Sequence, residues 1–305
     1  MKVVKEEKDF YTKFMDLLLK GIVKDEPLLV VGLIDTETVE KARVIHDTYP
    51  TATAALGRVI SGSILLSSIL KEGQKVVLQV EGDGPLRGIV AETDWLCRVR
   101  GYVKRPHIHL GLKDGKLDVG RGIGKGFLNV IKDLGLREYY RGIVPLQTGE
   151  IATDLAYYLN VSEQIPAAVS LGVYVDTDNS VKASGGFMVH ILPGLRDEIV
   201  GYLERKLKGL PSVSTMILDG LSPKEIIEEA VGLPIEISEW KEVLYYCPCT
   251  KDRVLDAIVV LGREDIGKLV SRGEVLDVQC EFCKKEYVVS QDDLQFLLHS
   301  IESTN

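Results

Sequence analysis

Apolar positions along the chain fall into two kinds of run. Leu28–Leu33, Lys75–Val80, Ile89–Ala91, Val99–Val103 and Val169–Val175 are short stretches rich in Val, Leu and Ile, and they predict strands. Thr51–Leu70 and Ile151–Leu159 predict helices, the second with Ile151, Leu155, Ala156 and Leu159 along one face. The longest apolar stretch, Ala52–Leu70, is interrupted by Arg58 and studded with Gly57, Ser61, Gly62, Ser63, Ser67 and Ser68. A membrane span needs about 20 mostly apolar residues. This stretch reads instead as a buried helix whose small residues allow close packing. Strand and helix signals do not alternate regularly, so residues 1–194 predict an α+β core domain, not a doubly wound parallel sheet.

The pattern changes at residue 195. Leu195–Leu210 carries Ile199, Val200, Leu203, Leu207 and Leu210 at the spacing of an amphipathic helix. Ser222-Pro223-Lys224-Glu225 is a capping box with Pro at the first helical position, opening a helix through Val231. Gly209, Pro211, Gly220, Gly232 and Pro234 punctuate the segment. Helices this short are marginal alone. Residues 195–243 therefore predict a helical linker that docks on a neighbour.

Residues 244–305 predict a small third unit. Thr250 can cap a helix to Leu261, and a second helix follows with Ile266, Leu269 and Val270. Val275–Cys280 and Glu286–Val289 read as two strands, and Ser290 caps a last helix with Leu294, Leu297, Leu298 and Ile301. A unit of about 60 residues buries little surface and commonly needs a metal.

Charge refines this picture. The 305-residue chain has 37 basic and 45 acidic residues, net −8. Residues 195–243 hold ten acidic against six basic residues, and residues 244–305 eleven against seven, which leaves the first domain balanced. Such a chain is not built to neutralise phosphates, so general nucleic-acid binding is disfavoured. The N-terminus, MKVVKEEKDFYTKF, lacks an apolar targeting core, and no targeting signal is expected there. A cytoplasmic location is expected.

The candidate chemistry lies in the cysteines. Cys97 stands alone in a strand-like run and reads as a buried small hydrophobe. Cys247-Pro248-Cys249 and Cys280-Glu281-Phe282-Cys283 form two close pairs in the last fifth of the chain. That distribution suits a reducing compartment and a local metal or redox site, not a secreted disulfide scaffold. Four thiolates suit zinc in tetrahedral geometry. The C-x-C half is tighter than in ordinary zinc ribbons, and its sulfurs are close enough to oxidise to each other. A purely structural zinc site accounts for the metal but not for that spacing. A thioredoxin-like enzyme would place C-x-x-C at a helix N-terminus in a βαβ unit, whereas here it falls between two strands.

Other motifs carry less. Gly120–Gly126 fails as a P-loop, because the opening Gly would fall on Val119 and Gly126 replaces Ser or Thr. It also fails the dinucleotide fingerprint, since Phe127–Ile131 reads as a strand; a Gly-rich turn with close backbone approach is expected. Gly82-Asp83-Gly84-Pro85 reads as a tight turn, and Gly185-Gly186 as a bulge or sharp turn. His46, His107, His109 and His190 are scattered with no nucleophile placed near them in a motif, and His299 reads as a surface or packing residue.

With these residues in view, the sequence resembles the heat-shock protein 33 family of redox-regulated holdase chaperones. The C-x-C and C-x-x-C pairs match the family's zinc switch at Cys247, Cys249, Cys280 and Cys283. Ala54–Arg58, Gln79–Pro85, Arg100-Gly101-Tyr102, Ser162–Pro166 and Gly185-Gly186-Phe187 look like further landmarks, so the resemblance covers nearly the whole chain. It implies an α+β core domain (1–194), a helical linker (195–243) and a small α+β zinc-binding redox-switch domain (244–305). It implies that the four cysteines bind Zn2+ when reduced and form disulfides when oxidised, Cys280 with Cys283 first and then Cys247 with Cys249. Oxidation with heat would release zinc, unfold the switch and linker, allow homodimerisation and let the protein hold unfolded clients without ATP. No enzymatic activity, nucleic acid or membrane partner is implied. A zinc-ribbon nucleic-acid binder and a thiol–disulfide oxidoreductase stand as the alternatives.

Overall fold

The computed structural model describes residues 16–303. The expectation about a targeting signal concerns residues outside this range. Two compact units divide the chain, one through Tyr246 and one from Cys247.

In the first unit, β1 (Leu17–Val23) and β2 (Leu28–Ile34) lead to helices α1 (Thr36–His46) and α2 (Pro50–Ser67). A meander of β3 (Lys75–Gly82), β4 (Gly88–Asp94) and β5 (Arg98–Val103) follows. The short pair β6 (Leu112–Lys113) and β7 (Lys116–Leu117) and the one-turn helix α3 (Val119–Ile123) then lead to β8 (Gly126–Asp133) and β9 (Tyr140–Pro145). Helix α4 (Ala152–Val161) precedes the long hairpin β10 (Ala167–Val175) and β11 (Val181–Ile191). Helices α5 (Asp197–Lys208), α6 (Val213–Leu218) and α7 (Pro223–Val231), then β12 (Ile235–Glu242) and β13 (Leu244–Tyr245), complete the unit.

The strands make two large sheets. One is ordered β10-β11-β2-β1-β12 and is antiparallel throughout. The other is ordered β13-β5-β4-β3-β8-β9, with one parallel pair, β13 on β5. Helix α2 packs on strands of both sheets, which is why almost every one of its side chains is buried. Its small residues have a steric reason: a Cβ at Gly57 would lie 2.7 Å from Val39 Cγ1 and 2.9 Å from Val173 Cγ2. Its hydroxyls are satisfied locally. Ser63 Oγ donates to the Ile60 carbonyl at 2.9 Å, and Ser61 Oγ lies within hydrogen-bond distance of both the Gly57 carbonyl and the Asp35 carboxyl.

The amphipathic linker helices dock on the five-stranded sheet. Leu203, Val213, Met216, Ile226, Ile227, Ala230 and Val231 share a buried apolar cluster with Val23, Leu28, Val30, Phe187 and Val189. The capping box is formed as the sequence predicts, with Ser222 Oγ accepting from Glu225 N and Glu225 accepting from Ser222 N.

Three expectations are corrected. Residues 195–243 are not helical throughout, because Ile235–Glu242 pairs antiparallel with β1 as an edge strand. Its alternation is masked by a register shift opposite Lys20/Gly21 and by charges that suit an exposed edge. Gly185 and Gly186 make neither bulge nor turn; they sit in regular register within β11. They are glycines because a Cβ at 185 would overlap the Leu33 carbonyl oxygen, and one at 186 would lie 2.7 Å from Leu171 Cδ2. Cys97 is buried as expected, but in a turn and not a strand, with φ 58° and its N–H donating to the Asp94 carbonyl at 3.0 Å. The Gly120–Gly126 segment does make the expected close approach, since a Cβ at Gly126 would overlap the Glu81 carbonyl oxygen.

The second unit holds α8 (Lys251–Val259), α9 (Gly262–Ser271), the hairpin β14 (Leu276–Gln279) and β15 (Glu286–Val289), and α10 (Gln291–Ser303). It is a small α+β unit whose apolar cluster is built on five buried residues, Ile258, Ile266, Val289, Leu294 and Leu297, with eight partly buried ones packed against them.

Candidate metal centre

Two local structures deliver the four sulfurs. The C-x-C limb ends where α8 begins. Thr250 caps that helix, its Oγ1 accepting from Arg253 N at 3.3 Å, so Cys249 immediately precedes the positive end of the helix dipole. The C-x-x-C limb is the turn of the β14–β15 hairpin. Cys280 N donates to the Lys285 carbonyl at 2.9 Å and Lys284 N to the Cys280 carbonyl at 2.8 Å, with Lys284 in the left-handed region at φ 58°. This turn points both thiols to one side of the hairpin end.

The sulfurs of Cys247, Cys249, Cys280 and Cys283 all lie within 4.8 Å of one another. Two close sulfur pairs cross between the limbs: Cys247 to Cys280 at 3.7 Å and Cys249 to Cys283 at 3.2 Å. Four sulfurs at Zn–S bond length in a tetrahedron would lie roughly 3.8 Å apart. The donor set and its spacing thus fit a tetrahedral thiolate-loving ion. Among the described residues, no other group of His, Cys, Asp or Glu gathers three such ligand atoms.

Residues around the sulfurs tune them. Burial works against the Cys249 thiolate, but hydrogen bonds from Tyr287 and the other three cysteines outweigh it and bring the thiol down to about 7. Burial raises Cys283, and its sulfur neighbours raise it further. Four thiols this close cannot shed their protons independently; each gains most when a cation takes up the charge. The Tyr287 hydroxyl lies 3.1 Å from Cys249 Sγ and 3.0 Å from the Cys249 carbonyl oxygen. Sequence reasoning missed this residue. Its only signal is the period-2 alternation that turns Tyr287 and Val289 inward on β15.

The unit is tied at a second point. Ser290 N and Oγ both donate to the Asp293 carboxylate, Asp293 N donates to Ser290 Oγ at 3.2 Å, and Lys251 Nζ pairs with Asp293 at 2.7 Å. Lys251 and Ser290 hold the Asp293 acid down at about 2. The start of α8, which follows the C-x-C limb, is thereby pinned to the start of α10.

The remaining candidates stay apart. Cys97 belongs to the first unit, where burial pushes its thiol up to about 11 and its Sγ faces Ser67 Oγ at 3.6 Å. His299 is exposed on α10 and takes no part in the sulfur cluster. His46 contacts the Tyr245 hydroxyl at 3.3 Å, His107 pairs with Asp47 at 3.1 Å, and burial drives His190 down to about 4. No helix among the described residues is long and apolar enough to cross a membrane.

These features define a two-unit α+β protein whose small C-terminal unit is organised around four cysteines that could hold a metal ion. The family described as "Hsp33 protein" matches residues 16–290. The chain belongs to that family. A 33 kDa chaperonin of Thermodesulfovibrio yellowstonii is 63% identical over 287 residues, covering 94% of this chain and all of that protein. A 33 kDa chaperonin of Bacillus velezensis is 39% identical over 285 residues, covering 93% of this chain and 98% of that protein. The crystal structure of a 33 kDa chaperonin from Thermotoga maritima superimposes with a TM-score of 0.86 at 37% identity, covering 95% of this chain and all of that one.

Proposed function

We propose that this protein is a redox-regulated, ATP-independent holdase chaperone that works without catalysing substrate chemistry. The observation that carries the reading is the convergence of four sulfurs within 4.8 Å of one another in a unit with very little apolar core. Bound zinc would hold the four thiolates in one tetrahedral shell and supply folding free energy, about 10–16 kcal/mol in comparable small sites.

Oxidation removes the ligands. One thiolate attacks peroxide, the O–O bond breaks, and a sulfenic acid and hydroxide form. A neighbouring thiolate then attacks that sulfur, making the S–S bond and expelling a second hydroxide. Two electrons pass from two sulfurs to peroxide per disulfide. The sequence resemblance supports Cys280–Cys283 forming first and Cys247–Cys249 second. A disulfide sulfur is a poor metal ligand, so the cysteine unit loses both metal and structure.

The effect reaches the linker through the chain itself. Strand β12 and the two-residue β13 run directly into Cys247. When this tether loosens, α5–α7 lose part of their anchorage, and the apolar faces of Leu203, Ile226 and Ile227 and of the sheet beneath them become available to unfolded proteins. Homodimerisation accompanies activation, and neither nucleic acid nor a membrane is a partner. The reducing cytoplasm is the compartment in which such a switch rests in the off state.

The test is zinc and thiol content before and after peroxide with mild heat. The reading expects one zinc and four reactive thiols before, and no zinc with two disulfides among Cys247, Cys249, Cys280 and Cys283 after. A protein that holds no metal as purified, or keeps it through oxidation, refutes it.

A further inference from the structure

We infer that Tyr287 is a positioning residue of the four-cysteine centre, clamping Cys249 and slowing its escape from the cluster. The inference rests on the metal-binding reading above. Its basis is geometric. The Tyr287 hydroxyl has one proton and two acceptors on the same residue, the Cys249 sulfur at 3.1 Å and the Cys249 carbonyl oxygen at 3.0 Å. Tyr287 sits on β15, paired with Val278 of β14, and so belongs to the hairpin that carries Cys280 and Cys283. Cys249 belongs to the other limb, at the start of α8. A single hydroxyl therefore joins the two halves of the site by a bond independent of any metal.

The ring cannot easily swing away. Tyr287 is buried, and Lys285 Nζ stands 5.2 Å from its ring centroid on the face of the ring. An O–H donated to a thiolate withdraws charge from sulfur, which lowers its nucleophilicity toward peroxide, and it orients the ligand. Both effects act in one direction: the clamp keeps the reduced site closed. Supporting partners of this kind are commonly worth 10–100-fold in metal affinity.

The experiment compares the full-length chain with Tyr287→Phe, which keeps the ring and removes only the hydroxyl. Cobalt(II) serves as the spectroscopic probe and zinc as the affinity probe. Tyr287→Phe is expected to bind one metal ion with about tenfold weaker zinc affinity. Its sulfur-to-cobalt charge-transfer band should move to longer wavelength, and Cys249 should react several-fold faster with peroxide, as read by alkylation and mass spectrometry. A purely packing role would leave the band and the Cys249 rate unmoved, and that result overturns the inference while the metal site stands. If the parent chain binds neither ion, the inference fails together with the reading it rests on. Tyr174→Phe, at an exposed position of β10 in the first unit, is the control expected to change nothing.

Discussion

Gly32 of β2 lies directly beneath Pro223 of α7. A Cβ at position 32 would stand 2.5 Å from the Pro223 carbonyl oxygen and 2.9 Å from Ile227 Cγ2. The linker helix can sit this low on the sheet only because residue 32 has no side chain. Gly32→Ala should lift α7 at a cost of about 1–3 kcal/mol, the range for an overpacked contact. Amides of residues 226–231 should then exchange faster and a dye that binds apolar surface should bind more, both without oxidation. Unchanged exchange in α7 would mean that the docking is not set by this contact.

Ile227 tests the same interface from the other side. It is fully buried in the cluster that joins the linker to the sheet. Ile227→Ala should cost roughly 2–5 kcal/mol by denaturant unfolding. It should also lower the temperature at which peroxide activates the protein, because α7 is then held less firmly.

Much of this fold was legible in the sequence. Val-, Ile- and Leu-rich runs identify β2, β3, β4, β5 and β10, and the Ser222–Glu225 box marks the start of α7 to the residue. The four-cysteine cluster was legible because C-x-C and C-x-x-C are spacings that put two thiols close together in each limb. What escaped depends on distant partners. The first strand is interrupted by Lys20, whose Nζ finds the Ser68 carbonyl at 3.0 Å, and by Gly21, where a Cβ would meet Ile235 Cγ2 at 2.7 Å. Neither partner is near in sequence. Strand β12 escaped because an edge strand carries charges that blur its alternation, and Tyr287 because its role lies in where its hydroxyl ends.

Asp35 gives the first unit a pH dependence of known sign. Burial, aided by the Asp16 carboxyl, raises its acid from 3.8 to about 7. Below pH 3.8 both folded and unfolded chains hold the proton, and the favourable contribution is complete. As pH rises toward 7, the unfolded chain ionises while the folded chain keeps its proton, so stability falls, on the order of a few kcal/mol in all. Asp35→Asn should be more stable than the parent at pH 8 and close to it at pH 4. Fluorescence of Trp95 and Trp240, both in the first unit, follows the unfolding. A difference that does not change with pH would contradict the assignment.

Cys97 should be a bystander. Its burial and raised thiol make it a poor nucleophile. In native protein stripped of metal, alkylation should be fast at four cysteines and slow at the fifth. Cys97→Ala should leave the rate of peroxide-driven zinc release within about twofold. A large change would bring this residue into the switch.

Chelation isolates the contribution of the metal from that of oxidation. Stripping zinc under reducing conditions should expose the amides of residues 251–301 to rapid exchange, since the unit has few buried side chains to hold it. Restoring zinc should restore protection. Full protection without metal would show that the small apolar core suffices.

The most direct measurement follows zinc release and client aggregation in one experiment. Zinc-loaded protein is treated with peroxide under mild heat, a chromogenic chelator reports the metal, and light scattering reports aggregation of a chemically unfolded test protein. The account predicts that aggregation is suppressed only after the metal has left, with no ATP present, and that a thiol reductant with zinc reverses both. If the metal leaves and aggregation proceeds unchanged, or if the reduced, zinc-loaded form suppresses it equally well, the four cysteines are not the switch of a chaperone.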